Sequence, residues 1–337
     1  MLRVPYSDLC AALERGLRHL GLGGDRGALC ARLFAETTCD GVYTHGLNRF
    51  PRFAEQIRNG SILVDATPRC LASAGALERW DGNLGPGNLN AYTAMQRAVE
   101  LARDHGLGGV ALANTNHWMR GGSYGWLAAE AGVAAICWTN TMANLPPWGA
   151  SSAALGNNPL VIAIPRSSGA HVVLDMAMSQ FSYGALAAYS AKGEQLPVPG
   201  GYDSAGRLTS DAAAIEASQR ALAIGYWKGS GLSLVLDMLA AMLSGGKATH
   251  EIPKEAARES GVSQVFLAVD PARFAETGEL DRIAEGVIES LREAVPVDEG
   301  RPVRYPGEQT LKLREENMRL GVPVDPTRWA ELHALSF

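Results

Sequence analysis

The sequence predicts a protein of the α/β class with α+β character, built as two interleaved lobes. Three observations carry that expectation. The 337 residues, 47% of them hydrophobic, can bury one large core or two smaller ones. Helical apolar periodicity marks both ends of the chain, whereas short apolar runs bounded by turn residues fill the middle. No repeat, low-complexity tract or flexible linker separates the two patterns, so the lobes share the chain instead of following one another.

Ser7 is placed to cap a helix running to about Leu20, where GLGG stops it, and Asp25 to cap a second helix ending near Gly41. GNLGPGN, Gly82 to Asn88, is a loose dinucleotide-loop candidate or a simple turn, with Asn88 capping a helix through Met95, Ala98 and Leu101 to His105 and Gly106 terminating it. GGVALAN then has strand character. Ser123 to Ala131 reads as a short helix, and VAAICW, LVIAIP and HVVLDM as strands. GEQLPVPGGYDSAGR, Gly193 to Arg207, is turn-rich enough for a surface loop. GSGLSLVLDMLAAMLSGG, Gly229 to Gly246, is apolar nearly all round, which predicts a helix buried beneath a sheet. QVFLAVD is a further strand and DRIAEGVIESLREA an amphipathic helix, followed by two more amphipathic segments between Glu308 and Leu335.

Composition excludes several function classes. A net charge of −5, with no run of Lys or Arg, offers nothing to a nucleic-acid backbone. Residues 131–165 carry no charge, but Asn140, Asn144, Pro146, Pro147, Asn157, Asn158 and Pro159 would be costly in lipid, so strands joined by a protein-enclosed loop are expected there and no membrane span. The N-terminus lacks the apolar core and cleavage site of a signal peptide. Five scattered cysteines without a CxxC read as reduced core thiols, which places the protein in the cytoplasm. Seven histidines form no HxxxH or HxH pair, so no metal is expected. GxSxG, GxxxxGK[ST] and the strand, GxGxxG, helix unit are all missing, so hydrolase chemistry is disfavoured and any dinucleotide must be held in another way.

Two polar clusters carry the chemistry: GVYTHGLNRFPRF, Gly41 to Phe53, and HWMRGGSYGW, His117 to Trp126. Two His/Arg clusters in an acidic chain suit a small anionic ligand. His45, just after a helix end and beside Gly46, can exchange a proton near neutral pH; the other reading is a histidine bonded to a loop carbonyl. Arg49 shares a face with His45 if the segment is helical, and Arg52 opens the next helix after Pro51. Each can grip a carboxylate bidentately or lie on a solvated surface. His117 and Arg120 follow a strand, where loops often carry function, or they pack a turn around Trp118 and Trp126. Lys228, ahead of a glycine-rich helix start, suits a phosphate or an ordinary surface position.

Together with ICWTNTMANLPPWG, LGNNPLVIAIP, VLDMAMSQFSYG and GYWKGSGLSLVLDM, in that order, these clusters resemble the malate/L-lactate dehydrogenase family of nicotinamide enzymes that lack the Rossmann fold. The likeness spans nearly the whole chain, and HWMRGGSYGW, PPWG and GYWKGSG are similar to bacterial members that reduce 2,3-diketo-L-gulonate. The resemblance implies a layered α/β cofactor domain, residues 73–307, and a helical domain holding both termini, residues 1–72 and 308–337, with part of 180–225 a candidate addition. It implies a homodimer with active sites near the subunit interface.

The resemblance also implies roles. His45 would be the proton donor, with Arg49 and His117 lining the pocket of a small 2-keto acid and Thr44, Arg52 and Arg120 beside them; Arg120 is added on its charge alone. Val172, Val173, Leu174, Asp175, Met176 and Ala177, with Trp227, Lys228, Pro306, Gly307 and Glu308, would hold NAD, as NADH or NADPH. Thr44 stands where serine is common, and GNNPL replaces GTNPL, two departures that bear on substrate preference. Other substrates compatible with the same fold are oxaloacetate, sulfopyruvate and a cyclic imino acid, and a catalytically silent ligand-binding protein is the remaining alternative.

Overall fold

Helices dominate the N-terminal segment, as the periodicity requires. In the computed structural model, which describes residues 2–276, 278–298 and 300–335, a short strand β1 (Leu2–Val4) leads into α1 (Tyr6–His19), α2 (Gly24–Cys39) and α3 (Phe50–Arg58). A hairpin of β2 (Arg69–Ala74) and β3 (Leu77–Asp81) follows, then α4 (Gly87–His105), β4 (Leu107–Thr115), α5 (Gly122–Glu130), β5 (Ala134–Thr139), β6 (Leu160–Ile164) and β7 (Val172–Met176). Next come α6 (Tyr183–Lys192), β8 (Gly201–Tyr202), β9 (Leu208–Thr209), α7 (Ala212–Ser218) and α8 (Trp227–Ser244). The chain closes with β10 (Val262–Val269), α9 (Glu279–Arg292), α10 (Glu308–Leu320), β11 (Val322–Val324) and α11 (Pro326–Ala334). The division expected at 72/73 falls inside β2.

Helix starts differ in detail from the capping signals. Pro5, Gly23 and Pro86 are the cap residues of α1, α2 and α4, so Ser7, Asp25 and Asn88 lie in first turns instead. The Pro5 carbonyl accepts from the amides of Asp8 and Leu9, while the Asn88 amide group turns to Cys30 Sγ at 3.2 Å. Gly106 ends α4 in the left-handed conformation that glycine adopts without steric cost.

Seven strands form one sheet in the order β2-β3-β4-β10-β5-β6-β7, antiparallel throughout except for the β3/β4 pair. Alternation along the central strands gives the sheet two faces. Val110, Leu112, Phe266 and Ala268 point to a core shared with α4 and α5, whereas Ala111 and Val265 point to a second core with Leu236 and Ala240 of α8. A third core joins α1, α2 and α3 to Val322 and Val324 of β11 and Leu332 of α11, and β1 pairs with β11. A smaller fourth core packs α6 against α7.

Three expectations need correction. The apolar α8 is not buried all round: its second face exposes Leu234, Val235, Met238, Leu239, Met242 and Leu243, because the sheet covers only one side of a helix. The uncharged loop is enclosed only in part; its asparagines are tied inward, Asn140 to Asp237 and Asn158 to Ser233, but Trp148 to Ser152 reach solvent. Of the five free cysteines, Cys70 is exposed on the edge strand β2 and Cys10 is half-buried.

Candidate active site

A close approach after α2 shapes the first wall. Thr38 Oγ1 accepts the Leu47 N–H at 2.9 Å, and a Cβ on Gly46 would stand 2.2 Å from that oxygen. Glycine is therefore required at 46, and the chain folds into two single 3-10 turns, Tyr43–His45 and Leu47–Arg49, instead of the continuous helix on which His45 and Arg49 would share a face. The opposite wall begins where β4 ends. Met119 adopts φ 64°, a left-handed geometry uncommon without glycine, which brings its N–H to 3.0 Å from His117 Nδ1. The Met119 side chain is anchored in the core of the N-terminal helices.

These two turns bring His45 and His117 together. Their rings stack with centroids 5.8 Å apart and planes 19° from parallel. Because His117 Nδ1 accepts a hydrogen bond, its ring proton sits on Nε2. Thr44 Oγ1 lies 3.0 Å from His45 Nδ1, and a hydroxyl donating there likewise leaves the His45 proton on Nε2. Burial, then the charges of Arg49 and Arg120, push the His45 pKa down to about 4. Burial also lowers His117, with Arg49, His45 and Arg52 adding to the effect. Two neutral imidazoles thus face each other, and a proton on His45 opposes a second on His117.

Arg49 stands beside the pair. Burial and the Arg52 charge lower its pKa to about 10, opposed by Glu259, whose Oε2 is 3.8 Å from Arg49 Nη2. Arg49 Nε is buried without a hydrogen-bond partner, and Arg52 is half-buried beside it. Arg120 is already engaged within the protein: its guanidinium pairs with Asp40, and both side chains are almost wholly buried. Arg314 of α10 completes the cluster, bonding both Asp40 oxygens at 2.7 Å while lying 4.8 Å from the centre of the Trp126 ring. Arg120 also lowers the Asp175 pKa, although burial wins and raises it overall. Asp175 keeps access to solvent although protein surrounds it closely, and its Oδ2 accepts the Gly122 N–H at 2.8 Å. A cavity of about 290 Å³ lies against Arg120, lined by Arg32, Glu36, Asp40, Trp126 and Arg314; neither His45 nor His117 lines it.

The residues expected to hold the cofactor fall into two groups. Val172 to Met176 form the edge strand β7, with Ala177 directly after, and the turn Pro306, Gly307 and Glu308 lies along it, the Pro306 carbonyl accepting the Val173 N–H at 3.0 Å. Glu308 keeps one buried oxygen without a partner. Trp227 and Lys228 are exposed in the first turn of α8, so Lys228 lies within the helix and not ahead of it. Ile224, in the turn before α8, donates its N–H to the Met178 carbonyl just past β7. Asp40, Gly184, Glu259 and Arg314 were not legible as site residues, because each acts through a partner distant in sequence. Gly184 of α6 packs so tightly on Thr44 that a Cβ there would lie 2.6 Å from Thr44 Cγ2.

A largely antiparallel sheet without a Rossmann unit brings two stacked histidines beside Arg49, and the chain belongs to the malate/L-lactate dehydrogenase family of oxidoreductases, whose model matches residues 4–333. Among curated relatives, the 2,3-diketo-L-gulonate reductase of Citrobacter koseri is 46% identical over 99% of this chain and 100% of its own length. Two solved structures share the fold at 25% identity. The sulfolactate dehydrogenase of Methanocaldococcus jannaschii has TM-score 0.90, covering 99% of this chain and 96% of its own. The delta1-piperideine-2-carboxylate reductase of Pseudomonas syringae has TM-score 0.89, covering 99% of this chain and all of its own.

Proposed function

We propose that this oxidoreductase reduces 2,3-diketo-L-gulonate at C2 to 3-dehydro-L-gulonate with a nicotinamide cofactor, NADH or NADPH. The observation that carries the reading is the full-length identity to curated reductases of that substrate, far above the identity to relatives named for sulfolactate or an imino acid.

The site residues fit such a cofactor. The unpartnered buried oxygen of Glu308 suits a ribose hydroxyl. Gly307, at φ 96°, lies flush on β7, where a Cβ would stand 3.1 Å from the Val173 nitrogen. Val172 to Ala177, Trp227, Lys228 and Pro306 to Glu308 would hold the group, which when bound supplies a hydride to C2.

The protein's own residues do the rest. As C2 gains a hydride, its oxygen gains negative charge, and His45, having taken up a proton in the substrate complex, gives that oxygen its Nε2 proton and returns to the neutral imidazole. His117 Nε2–H is a second donor to the same oxygen. Arg49, with Nε lacking a partner, grips the substrate carboxylate in a two-point bond and so fixes the keto carbon. Arrival of that carboxylate offsets the Arg49 charge that depresses His45, which favours its protonated form when substrate is present.

The exposed apolar face of α8 supports a homodimer in which a second copy covers that face. Five free cysteines support a reducing compartment, the cytoplasm. The experiment is oxidation of NADH, then NADPH, by the purified protein with 2,3-diketo-L-gulonate, oxaloacetate, sulfopyruvate and a cyclic imino acid. Preference for the diketo sugar acid bears out the proposal, and turnover of another acid alone replaces the substrate. No turnover with any of them removes the enzymatic reading.

A further inference from the structure

We propose that Glu259 is a positioning residue, which aims the Arg49 guanidinium at the substrate carboxylate and couples that aim to the loop following β5. The inference rests on the reading of Arg49 as the carboxylate grip.

Residue 259 joins three segments. Its carbonyl accepts Gln56 Nε2 of α3 at 3.1 Å, its Oε1 accepts the Met142 N–H at 3.2 Å, and its Oε2 faces Arg49 Nη2 at 3.8 Å. The side chain is 4% exposed, and among the described residues it is the one carboxylate within ion-pair range of Arg49. A buried carboxylate is retained at such a position only with compensation, which the Met142 amide and the Arg49 charge supply.

The spacing decides the role. At 3.8 Å the pair is longer than the roughly 2.7–2.9 Å of a charge-assisted hydrogen bond. Glu259 therefore orients Arg49 without consuming the donors that a two-point grip on substrate needs, and Arg49 Nε stays bare. Among the described residues, the other charged or titratable groups that act on Arg49 are Arg52, His45 and His117, none of which can offset its charge. Met142 continues from Thr141, whose N–H is fixed on Asn158 Oδ1 at 3.0 Å, so the loop and the guanidinium share one anchor.

Glu259→Gln keeps the volume and an acceptor for Met142 while removing the charge. The expected result is a KM for 2,3-diketo-L-gulonate raised about tenfold, equivalent to about 1.4 kcal/mol, with kcat changed much less. Loss of Glu259 also removes the charge that raises the Arg49 pKa, so an alkaline fall of kcat/KM that follows Arg49 should move to lower pH. Arg49→Ala is measured in parallel: an unchanged KM there overturns the carboxylate-grip reading and this inference with it. If Arg49→Ala raises KM while Glu259→Gln leaves both KM and the alkaline limb as in the parent, only the positioning role is overturned. Glu259→Asp, which keeps the charge at a shorter reach, should restore the pH limb and serves if the Gln variant does not fold.

Discussion

Asp40 and Arg120 form an ion pair buried on both sides, in the segment that leads to His45 and the turn that follows His117. Arg314 adds a second guanidinium from the helix that begins at the Pro306–Gly307–Glu308 turn, so one carboxylate holds both histidine walls and the expected cofactor turn in register. Removing one member of a buried ion cluster leaves the others uncompensated. Asp40→Asn is expected to cost about 3–5 kcal/mol in a reversible denaturant titration. Arg314→Met should cost less, because Arg120 still neutralises Asp40 and Arg314 is itself a third exposed.

Turnover should depend on His45 far more than cofactor affinity does. His45→Ala is expected to lower kcat by about 10²–10⁴, the usual worth of a positioned proton donor. The dissociation constant of NADH, read by fluorescence titration, should change little. Unchanged turnover would remove His45 from the chemistry.

Acid should destabilise the fold through the same histidine. With a folded pKa of about 4 against an ordinary value near 6.5, the unfolded chain binds more protons between those limits, and stability falls as pH drops through that window. The loss attributable to His45 is at most about 3 kcal/mol. Thermal melts of the parent and His45→Asn, taken from pH 7 to 4, isolate it: the variant should lose less stability on acidification. Parallel curves would show that the imidazole charges freely in the fold.

Thr44 and Gly184 should behave as a coupled pair. Gly184→Ala drives a methyl group into Thr44, and overpacking of that kind costs about 1–3 kcal/mol. Thr44→Ser removes Cγ2, the nearest atom, and should recover part of the lost stability and activity. A double-mutant cycle with no coupling energy would show that α6 gives way instead.

The proposed dimer predicts that Met242→Glu combined with Val235→Glu yields a monomer in sedimentation velocity. Both positions are exposed, so the fold of the single chain should survive. A parent protein that sediments as a monomer would refute the assembly.

Much of this was legible where the signal is local. Gly106 marks the end of α4 and the start of β4, and the contiguous THG and HWMR segments carry both histidines. The hairpin of β2 and β3 was not legible, because β2 is exposed along its whole length and the β3 sequence LERWD does not alternate apolar with polar residues. The β1/β11 pair joins three residues at opposite ends of the chain, beyond the reach of any window. Helix α8 shows the limit of periodicity: an apolar second face looks the same whether this chain or another molecule covers it. Glu259 and Asp40 were ordinary acids until the fold set them against distant arginines.

The place of β10 in the sheet orders the protein's birth. This strand lies between β4 and β5, and thus at the centre of seven, yet it leaves the ribosome after all the others of the sheet. Until Val262 to Val269 emerge, β4 and β5 have open edges with nothing between them, and Phe266 is missing from the core. Pairing over such sequence separations is slow, so the nascent chain carries two open edges until β10 emerges, a condition that favours chaperone dependence and misassociation.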